Sequence, residues 1–251
     1  MNSSPIKVGF IAGLFIVLTL LGVVPALAVG SRAPVYHPSR HDPINPLHNS
    51  NSSGWESENW AGYALTGGPY REISASWVVP QVEATQEPSN SALFIGIDGY
   101  NNSSLLQVGT EQDYQGSGQY YAWWEMLPAP ESRITSVPIH PGDQMSASLQ
   151  EGLNGQWTIR ISDLTTNQSF STTQSYSAPR SSAEWVIEAP KVGGQSTKLA
   201  HYGQVNFSHL SLDGAVPELS TANRGTMLQD GQPVSAPSRA ATSGFTVSYG
   251  E

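Results

Sequence analysis

An alternation of apolar and acidic side chains runs through the segment Ala183-Glu184-Trp185-Val186-Ile187-Glu188. Successive side chains of a β-strand point to opposite faces, so Trp185 and Ile187 share one face while Glu184 and Glu188 share the other. The first face is suited to a core, and the second is either exposed to solvent or forms the floor of a cleft. The two carboxylates are roughly 13 Å apart at about 3.3 Å per residue, so they do not pair with each other.

Similar short segments, rich in β-branched and aromatic residues, follow one another from Trp55 onward. Gly, Pro, Asn and Asp interrupt them, no helical period is sustained, and Asn154-Gly155 and Asp230-Gly231 are hairpin-turn signals. The sequence therefore predicts an all-β fold, a two-sheet antiparallel β-sandwich with one concave face. The predicted strands are 59–65, 72–79, 92–98, 104–110, 119–127, 144–149, 156–163, 169–175, 183–188, 205–212 and 244–249.

The composition of the 251-residue chain excludes several classes of function. Only 12% of the residues are charged, and 20 acidic side chains outnumber 11 basic ones, so a basic surface for nucleic acid cannot form. The absence of cysteine excludes disulfides, a thiolate nucleophile and zinc–thiolate sites. Neither a G-x-S-x-G nor an H-E-x-x-H motif occurs. We therefore expect no metal and no cofactor, and any catalysis must use oxygen or nitrogen side chains.

The N-terminal residues have the pattern of a secretory signal peptide. Lys7 precedes an uncharged apolar run, and Ala26-Leu27-Ala28 matches an A-x-A cleavage site. Residues 1–28 are therefore predicted to be a signal peptide, and the competing interpretation is a retained membrane anchor. In both cases the rest of the chain lies outside the cytoplasm, either secreted without a stable membrane partner or anchored to the membrane.

Residues 29–54 are rich in Pro, Ser, Asn and His, and they contain too few large apolar residues to pack a core. We interpret them as a spacer or a short pro-segment, and residues 55–251 as the β-sandwich domain. The segment carries a net charge of +1 before its histidines titrate, whereas the domain carries −11. Either the segment covers an acidic cleft until it is removed, or it is a solvated spacer.

Gln107 interrupts an otherwise apolar strand. Leu106 and Val108 point to the opposite face, and Gly109 leaves space beside the carboxamide. An unpaired buried carboxamide would cost about 1 to 3 kcal/mol, so Gln107 either is satisfied within the fold or faces a ligand site.

A second group of candidate residues lies in the segment from Tyr120 to Pro128. Its alternation places Trp123 and Glu125 on one face together with further aromatic and apolar residues. An aromatic face with one carboxylate suits an extended peptide or sugar chain, although aromatic stripes also form cores. Asp98 ends a buried strand and is either a turn or cap residue or an orienting group.

In order along the chain, these segments resemble the glutamic peptidases, or eqolisins, a family of secreted, acid-active β-sandwich endopeptidases. The resemblance extends from the start of the predicted domain to its end, and its motifs are Glu58-Asn59-Trp60-Ala61-Gly62, Ser74-Ala75-Ser76-Trp77-Val78-Val79-Pro80, Ile95-Gly96-Ile97-Asp98-Gly99, Leu106-Gln107-Val108-Gly109, Trp124-Glu125, Ala183-Glu184-Trp185-Val186-Ile187-Glu188, Tyr202-Gly203-Gln204-Val205-Asn206-Phe207 and Val247-Ser248-Tyr249.

The resemblance implies catalytic roles for Gln107, in a Leu-Gln-x-Gly motif, and for Glu184, in Ala-Glu-Trp. Asp98, Glu125, Phe94 and Trp123 are then expected to support the cleft or to bind substrate. The family commonly has Trp at the position of Phe94, and its fungal members carry cysteines that this chain lacks, which is the pattern of a bacterial or archaeal type of member. The fold it implies is a sandwich of the concanavalin A or lectin-like kind with a concave substrate cleft.

The activity implied is hydrolysis of peptide bonds in proteins or peptides at roughly pH 2 to 5, around the ordinary pKa of a glutamate. We expect a monomer with no cofactor. One alternative is a glycan-binding or glycan-hydrolysing sandwich that uses two of Glu125, Glu184 and Glu188. Another is an inactive relative that serves as an adhesion domain.

Overall fold

The structure is a computed structural model that describes residues 1–2, 39–44, 46–50, 54–242 and 244–250, with only the backbone of residues 48–50. The described residues from Ser39 onward belong to one unit, which spans His37–Glu251. Apart from its first two residues, the predicted signal peptide lies outside the described residues, so its interpretation stays a prediction. No helix in the described ranges combines the length and the apolar character of a membrane span.

The described chain is almost entirely β-structure, with short 3₁₀ turns at Leu153–Gly155 and Thr221–Asn223. The strands are β1 (Ser39–Arg40), β2 (Pro46–Ser50), β3 (Gly54–Ser57), β4 (Trp60–Thr66), β5 (Glu72–Val78), β6 (Ser89–Asn90), β7 (Ala92–Ile97), β8 (Leu106–Tyr114), β9 (Gly118–Met126), β10 (Ser132–Ile134), β11 (Gln144–Glu151), β12 (Gln156–Asp163), β13 (Gln168–Ser175), β14 (Ser182–Glu188), β15 (Lys191–Val192), β16 (Gln195–Ser196), β17 (Lys198–Leu199), β18 (Gln204–Leu212), β19 (Arg224–Gln229), β20 (Gln232–Pro237) and β21 (Gly244–Tyr249).

Two large antiparallel sheets pack against each other. The front sheet has the order β4-β14-β7-β8-β9-β10. The back sheet has the order β13-β12-β11-β5-β18-β21-β20-β19. Strand β19 also pairs with β4 through Arg224 and Gly225, which joins the two sheets along one side. The predicted all-β sandwich is therefore confirmed.

The main core fills the space between the sheets. Ile95, Val108 and Trp185 of the front sheet pack there against apolar side chains of the back sheet. Two indole N–H groups also reach across, because Trp77 donates to Thr110 Oγ1 at 3.0 Å and Trp185 donates to the Ser74 carbonyl oxygen at 3.1 Å. Burial of the apolar side chains is the dominant stabilising contribution, and these bonds fix how the sheets align.

The outer face of the front sheet is buried as well. Every residue of β7 and β14 is buried, whereas burial alternates along β5 in the back sheet. A second apolar cluster forms on the outer face, around Trp60, Phe94 and Trp123. The face that carries Glu184 and Glu188 is therefore a covered floor rather than an open surface.

The predicted strands match the structure closely where alternation is regular. The prediction is correct to the residue for 156–163 and 244–249, and both hairpin signals lie between paired strands with positive φ at Asn154 and Asp230. The sequence does not predict the short strands β1, β2, β3, β6, β10, β15, β16 and β17, nor the longer strands β19 and β20. Pro233 and Pro237 lie within β20, and proline is a residue that normally demotes a strand assignment.

Gly109 offers a test of the register between β7 and β8. A Cβ at this position would lie 2.0 Å from the Leu93 carbonyl oxygen and 2.8 Å from Phe94 Cβ. We predict that Gly109→Ala lowers the free energy of unfolding by about 3 kcal/mol, because the strands must separate to admit the methyl group. Urea unfolding followed by circular dichroism measures the change.

Gly152→Ala is the matched control, because its Cβ would meet nothing closer than the Gln156 carbonyl oxygen at 3.4 Å. Its effect should stay below about 1 kcal/mol. Equal stability of the Gly109→Ala variant and the wild-type protein would contradict the pairing of these strands.

Candidate active site

Four neighbouring strands place Glu184, Gly96, Gln107 and Glu125 directly opposite one another. We call these residues the first row. Directly paired residues of antiparallel strands point to the same side of the sheet, so the two predicted catalytic side chains share the outer face. Their Cα atoms are about 10 Å apart, two inter-strand spacings across Gly96.

Gly96 allows the side chain of Glu184 to extend towards Gln107. A Cβ on Gly96 would lie 3.1 Å from Glu184 Oε2, so the carboxylate extends over the space that any larger residue would fill. Because Gly96 has no side chain, the Glu184 carboxyl group and the Gln107 carboxamide can approach each other across β7.

The Gln107 carboxamide is buried and donates two hydrogen bonds through Nε2. One goes to Glu125 Oε2 at 2.8 Å and the other to the backbone carbonyl oxygen of His41 at 3.2 Å. Its Oε1 atom has no hydrogen-bond partner in the described part of the chain. The fold thus satisfies the donor side of Gln107 with a peptide carbonyl and leaves the acceptor side unpaired.

Glu184 is completely buried, and neither of its carboxyl oxygens makes a hydrogen bond of good geometry within the described ranges. Burial is the main reason that the pKa of Glu184 lies well above its ordinary value; the nearby Ser182 hydroxyl partly offsets this, and the charge of Asp98 adds to it. A buried carboxyl group without a full set of partners is costly, and such groups concentrate at functional sites.

Asp98 does not lie in the first row but fixes the start of β14. Its carboxylate accepts backbone N–H bonds from Arg180 at 2.8 Å and Ser181 at 2.9 Å, the Tyr176 hydroxyl at 2.9 Å and the Asn102 amide at 2.7 Å. Its backbone N–H also donates to the Ser182 carbonyl oxygen at 3.0 Å. Asp98 is therefore a positioning residue for the strand that carries Glu184.

Two further rows follow on the same face at steps of two residues. The second row is Val186, Phe94, Gly109 and Trp123, and the third is Glu188, Ala92, Glu111 and Tyr121. The Phe94 ring packs edgewise against Trp123, with ring centroids 6.0 Å apart. The outer face is thus divided into a polar first row, an aromatic second row and an acidic third row.

Residues 39–44 cross this face. The backbone N–H of His41 donates to Glu125 Oε2 at 3.3 Å, that of Asp42 to Glu188 Oε1 at 3.1 Å, and that of Ile44 to the Gly99 carbonyl oxygen at 3.0 Å. Strand β1 pairs with β15, which adds the segment to a small hairpin beside the cleft.

The buried positions of Ser39 and His41 correct one expectation from the sequence. The low apolar content of residues 29–54 predicts that they do not pack a core, yet the side chain of His41 is fully buried. Glu111 and Glu131 were not singled out by sequence reasoning. The one available signal was the opposite charge of the segment and the domain, because burial of a histidine here depends on carboxylates contributed by distant strands.

None of the described residues forms a group of three or more histidine and carboxylate side chains arranged to hold a metal ion. The described cleft instead contains many carboxylates and few cations. Burial raises the pKa of Glu125 to about 7, with the charge of Glu188 adding to it and His41 opposing it. The arrangement can therefore hold protons on carboxyl groups, donate an amide N–H to a carbonyl and bind an extended chain.

Comparisons with known proteins give one consistent family. A profile described as the Peptidase A4 family matches residues 58–249. The chain is 26% identical to "Aspergillopepsin-2" of Aspergillus niger over 89% of both chains, and 32% identical to "Scytalidopepsin B" of Scytalidium lignicola over 52% of this chain and 51% of that protein. A crystal structure of scytalido-glutamic peptidase with a transition state analog inhibitor superimposes with a TM-score of 0.67 at 25% identity, covering 76% of this chain and 98% of that one.

The buried carboxyl groups predict how stability depends on pH. Burial raises the pKa of Asp113 and of Glu125 to about 7 in the folded protein, so folding takes up protons at these sites. Their contribution is complete below their ordinary pKa and is lost as the pH rises towards 7. We predict that the free energy of unfolding falls between about pH 4 and 7, by on the order of 3 kcal/mol per group.

Urea unfolding at several pH values measures this slope, and Glu125→Gln should make it shallower because the amide does not titrate. A stability that increases over the same pH range would contradict the buried, protonated state of these carboxyl groups.

Proposed function

This chain belongs to the Peptidase A4 family and is a glutamic peptidase that hydrolyses peptide bonds, and from that premise we propose that Gln107 and Glu184 carry out the hydrolysis. The observation that carries the proposal is the hydrogen bond from Gln107 Nε2 to the carbonyl oxygen of His41. A peptidase must polarise a carbonyl of this kind. Family membership favours peptide hydrolysis over the glycan-active alternative.

Glu184 is the proposed general base and then general acid. Its ionised carboxylate takes a proton from a water molecule that attacks the scissile carbonyl carbon, and it returns that proton to the leaving nitrogen as the C–N bond breaks. Proton transfer by a positioned side chain contributes roughly 10² to 10⁴ in rate. Its location on the same face as Gln107, across Gly96, supports this role.

Gln107 is the proposed donor to the carbonyl oxygen as that oxygen becomes negative. A positioned amide N–H of this kind contributes about 3 to 4 kcal/mol of transition-state stabilisation. Glu125 accepts the other hydrogen bond from the same nitrogen and so fixes the orientation of the carboxamide. Phe94 and Trp123 form the adjacent apolar floor, and we propose that substrate lies over them.

Substrate can reach this site only when residues 39–44 have moved. Ile44 packs against the apolar cluster that includes Phe94 and Leu105, the side chains beside Gly96 and Glu184. Removal of the segment therefore readmits water to the surroundings of Glu184 and lowers its pKa towards the ordinary value. Glu184 is therefore ionised, and able to act as a base, in the open cleft but not in the covered cleft.

The sequence also supports a place of action outside the cytoplasm. We propose that it is secreted, with residues 1–28 removed as a signal peptide and residues 29–54 acting as a short pro-segment, and that it acts as a monomer on unfolded protein at acidic pH. The N-terminal pattern and the few basic residues support secretion and acid tolerance. Mass spectrometry of the N-terminus of the active form tests the processing.

We predict that Glu184→Gln and Gln107→Ala each reduce kcat/KM on acid-denatured casein by about 10² to 10⁴, while the β-rich circular dichroism spectrum is retained. Glu87→Gln is the isosteric control on the surface, where Glu87 is exposed, and it should retain wild-type activity. Ordinary turnover by either site variant would remove that residue from the mechanism.

The pH dependence gives a separate prediction. Casein cleavage should be greatest between roughly pH 2 and 5, and its acid limb should report the ionisation of Glu184 in the open cleft. A polysaccharide panel incubated in parallel should remain intact. Release of sugars, or an acid limb that persists in a Glu184→Gln variant with residual activity, would count against the assignment.

A further inference from the structure

A second part of the fold carries an ion pair that the proposed mechanism does not use. Arg180 donates through Nη1 to Glu151 Oε1, and both side chains line a cavity of about 360 Å³. Glu151 ends β11 of the back sheet, and Arg180 lies two residues before β14. The residues that line this space include no member of the three rows. We call it the Arg180 cavity.

The walls of the Arg180 cavity are held together by the backbone. The 3₁₀ turn Leu153–Gly155 contributes one side, through Asn154 and Gly155, and residues 175–178 contribute the other. The Tyr176 N–H donates to the Gly155 carbonyl oxygen at 3.0 Å, which joins the two sides. Because the walls are already fixed, a ligand does not have to order them when it binds.

Glu151 presents an acceptor that the fold leaves open. Its Oε1 atom is paired with Arg180, whereas its Oε2 atom is buried and has no hydrogen-bond partner among the described residues. Arg71 Nε lies 3.7 Å from Oε2, which is too long for a hydrogen bond, and the Arg71 side chain is largely exposed. A buried carboxylate oxygen without a donor is costly, and an ammonium group of a ligand supplies that donor.

Arg180 presents donors beside this acceptor. A guanidinium carries five N–H groups in a planar fork, and within the described ranges Glu151 engages one of its nitrogens, Nη1. The Arg180 side chain is 24% exposed and that of Glu151 is 15% exposed, so the pair is partly shielded from water. A carboxylate on the remaining N–H groups is held more strongly there than on a fully exposed arginine.

The backbone conformation of Arg180 is unfavourable for an arginine. Its φ is 57°, in the left-handed region that glycine adopts most readily. The turn directs the N–H groups of Arg180 and Ser181 at Asp98, and a glycine would provide the same donors with less strain. Strain of this kind is concentrated at functional sites, and here it accompanies a side chain that reaches Glu151.

The two open positions lie side by side, because Glu151 and Arg180 are in direct contact. A ligand that fills both positions carries an ammonium group and a carboxylate that are separated by very few atoms. A free α-amino acid meets this requirement, since both groups are bonded to one carbon atom. The two termini of a peptide are further apart.

We propose that the Arg180 cavity is a binding site for a free α-amino acid, whose ammonium group donates to Glu151 Oε2 and whose carboxylate accepts from the Arg180 guanidinium. The occupant contacts the segment that holds Asp98, because the Tyr176 hydroxyl and the Arg180 N–H both donate to that carboxylate. Amino acid binding therefore stabilises the connection that leads into β14. The proposal does not rest on the catalytic roles of Gln107 and Glu184.

The first experiment uses L-alanine as the probe and thermal unfolding of the full chain at pH 5 as the readout. Addition of 50 mM alanine should raise Tm saturably, by about 3 °C, as expected for a dissociation constant of about 5 mM. N-acetylalanine lacks the ammonium group and alaninamide lacks the carboxylate, so each should raise Tm by less than about 1 °C. An equal rise with either analogue would overturn the requirement for both charges, and no rise with alanine would overturn the site.

The second experiment locates the bound alanine. Arg180→Gln and Glu151→Gln should each reduce the rise in Tm to less than about 1 °C, because each variant loses one of the two charged contacts. Arg160→Gln is the matched control, since Arg160 is an exposed arginine of the same back sheet, and it should keep the full rise. A full rise in both site variants means that alanine binds elsewhere, which would overturn the assignment.

Glu184→Gln separates this site from the proposed catalytic site. Glu184 does not line the Arg180 cavity, so the variant should show the same rise in Tm with alanine as the wild-type protein. Loss of the rise in Glu184→Gln, together with its retention in Arg180→Gln, would place alanine in the cleft and overturn the proposal.

Discussion

The register across β14, β7, β8 and β9 is the constraint on which the site depends. Because side chains alternate along a strand, a slip of one residue in any of these pairings would move a whole row from the outer face into the core. Trp185 and Ile95 fix the register from the inner face, where they pack between the sheets. The same apolar packing that stabilises the sandwich therefore aligns Glu184 with Gln107.

Because the rows lie two residues apart along the strands, one face of the sheet carries three different kinds of side chain next to each other. Two residues along a strand span about 6.6 Å, so the polar first row and the acidic third row are separated by an aromatic second row. The separation keeps Glu184 away from the strongest cluster of like charges, while glutamate side chains from the third row still reach the His41 ring, which stacks on Trp123. A single extended segment can thus contact all three rows.

Sequence reasoning identified the fold because alternation is a local property. The segment 183–188 carries its own two-face pattern, and the faces assigned to Gln107, Trp123 and Glu125 agree with the structure. The convergence of Glu111, Glu131 and Glu188 on His41 could not be derived in this way. It depends on strand neighbours and on a loop, and neither is encoded in the spacing of residues along one segment. The sequence does not predict β20 for the opposite reason. Its prolines disfavour a strand locally, whereas pairing with β19 and β21 makes the segment a strand.

The buried carboxyl groups of the outer face explain why residues 39–44 pack on that face. Such a concentration of carboxyl groups is tolerated in two ways, by protonation or by a cation. In acid, protonation removes the negative charge, because the raised pKa of Glu125 and of Asp113 keeps those groups neutral. At higher pH a cation compensates them, and the His41 ring lies within 3.7 Å of carboxylate oxygens of Glu111, Glu131 and Glu188. Because burial raises the pKa of Glu111 and of Glu188, these carboxyl groups depend least on the imidazolium in acid, where they are protonated.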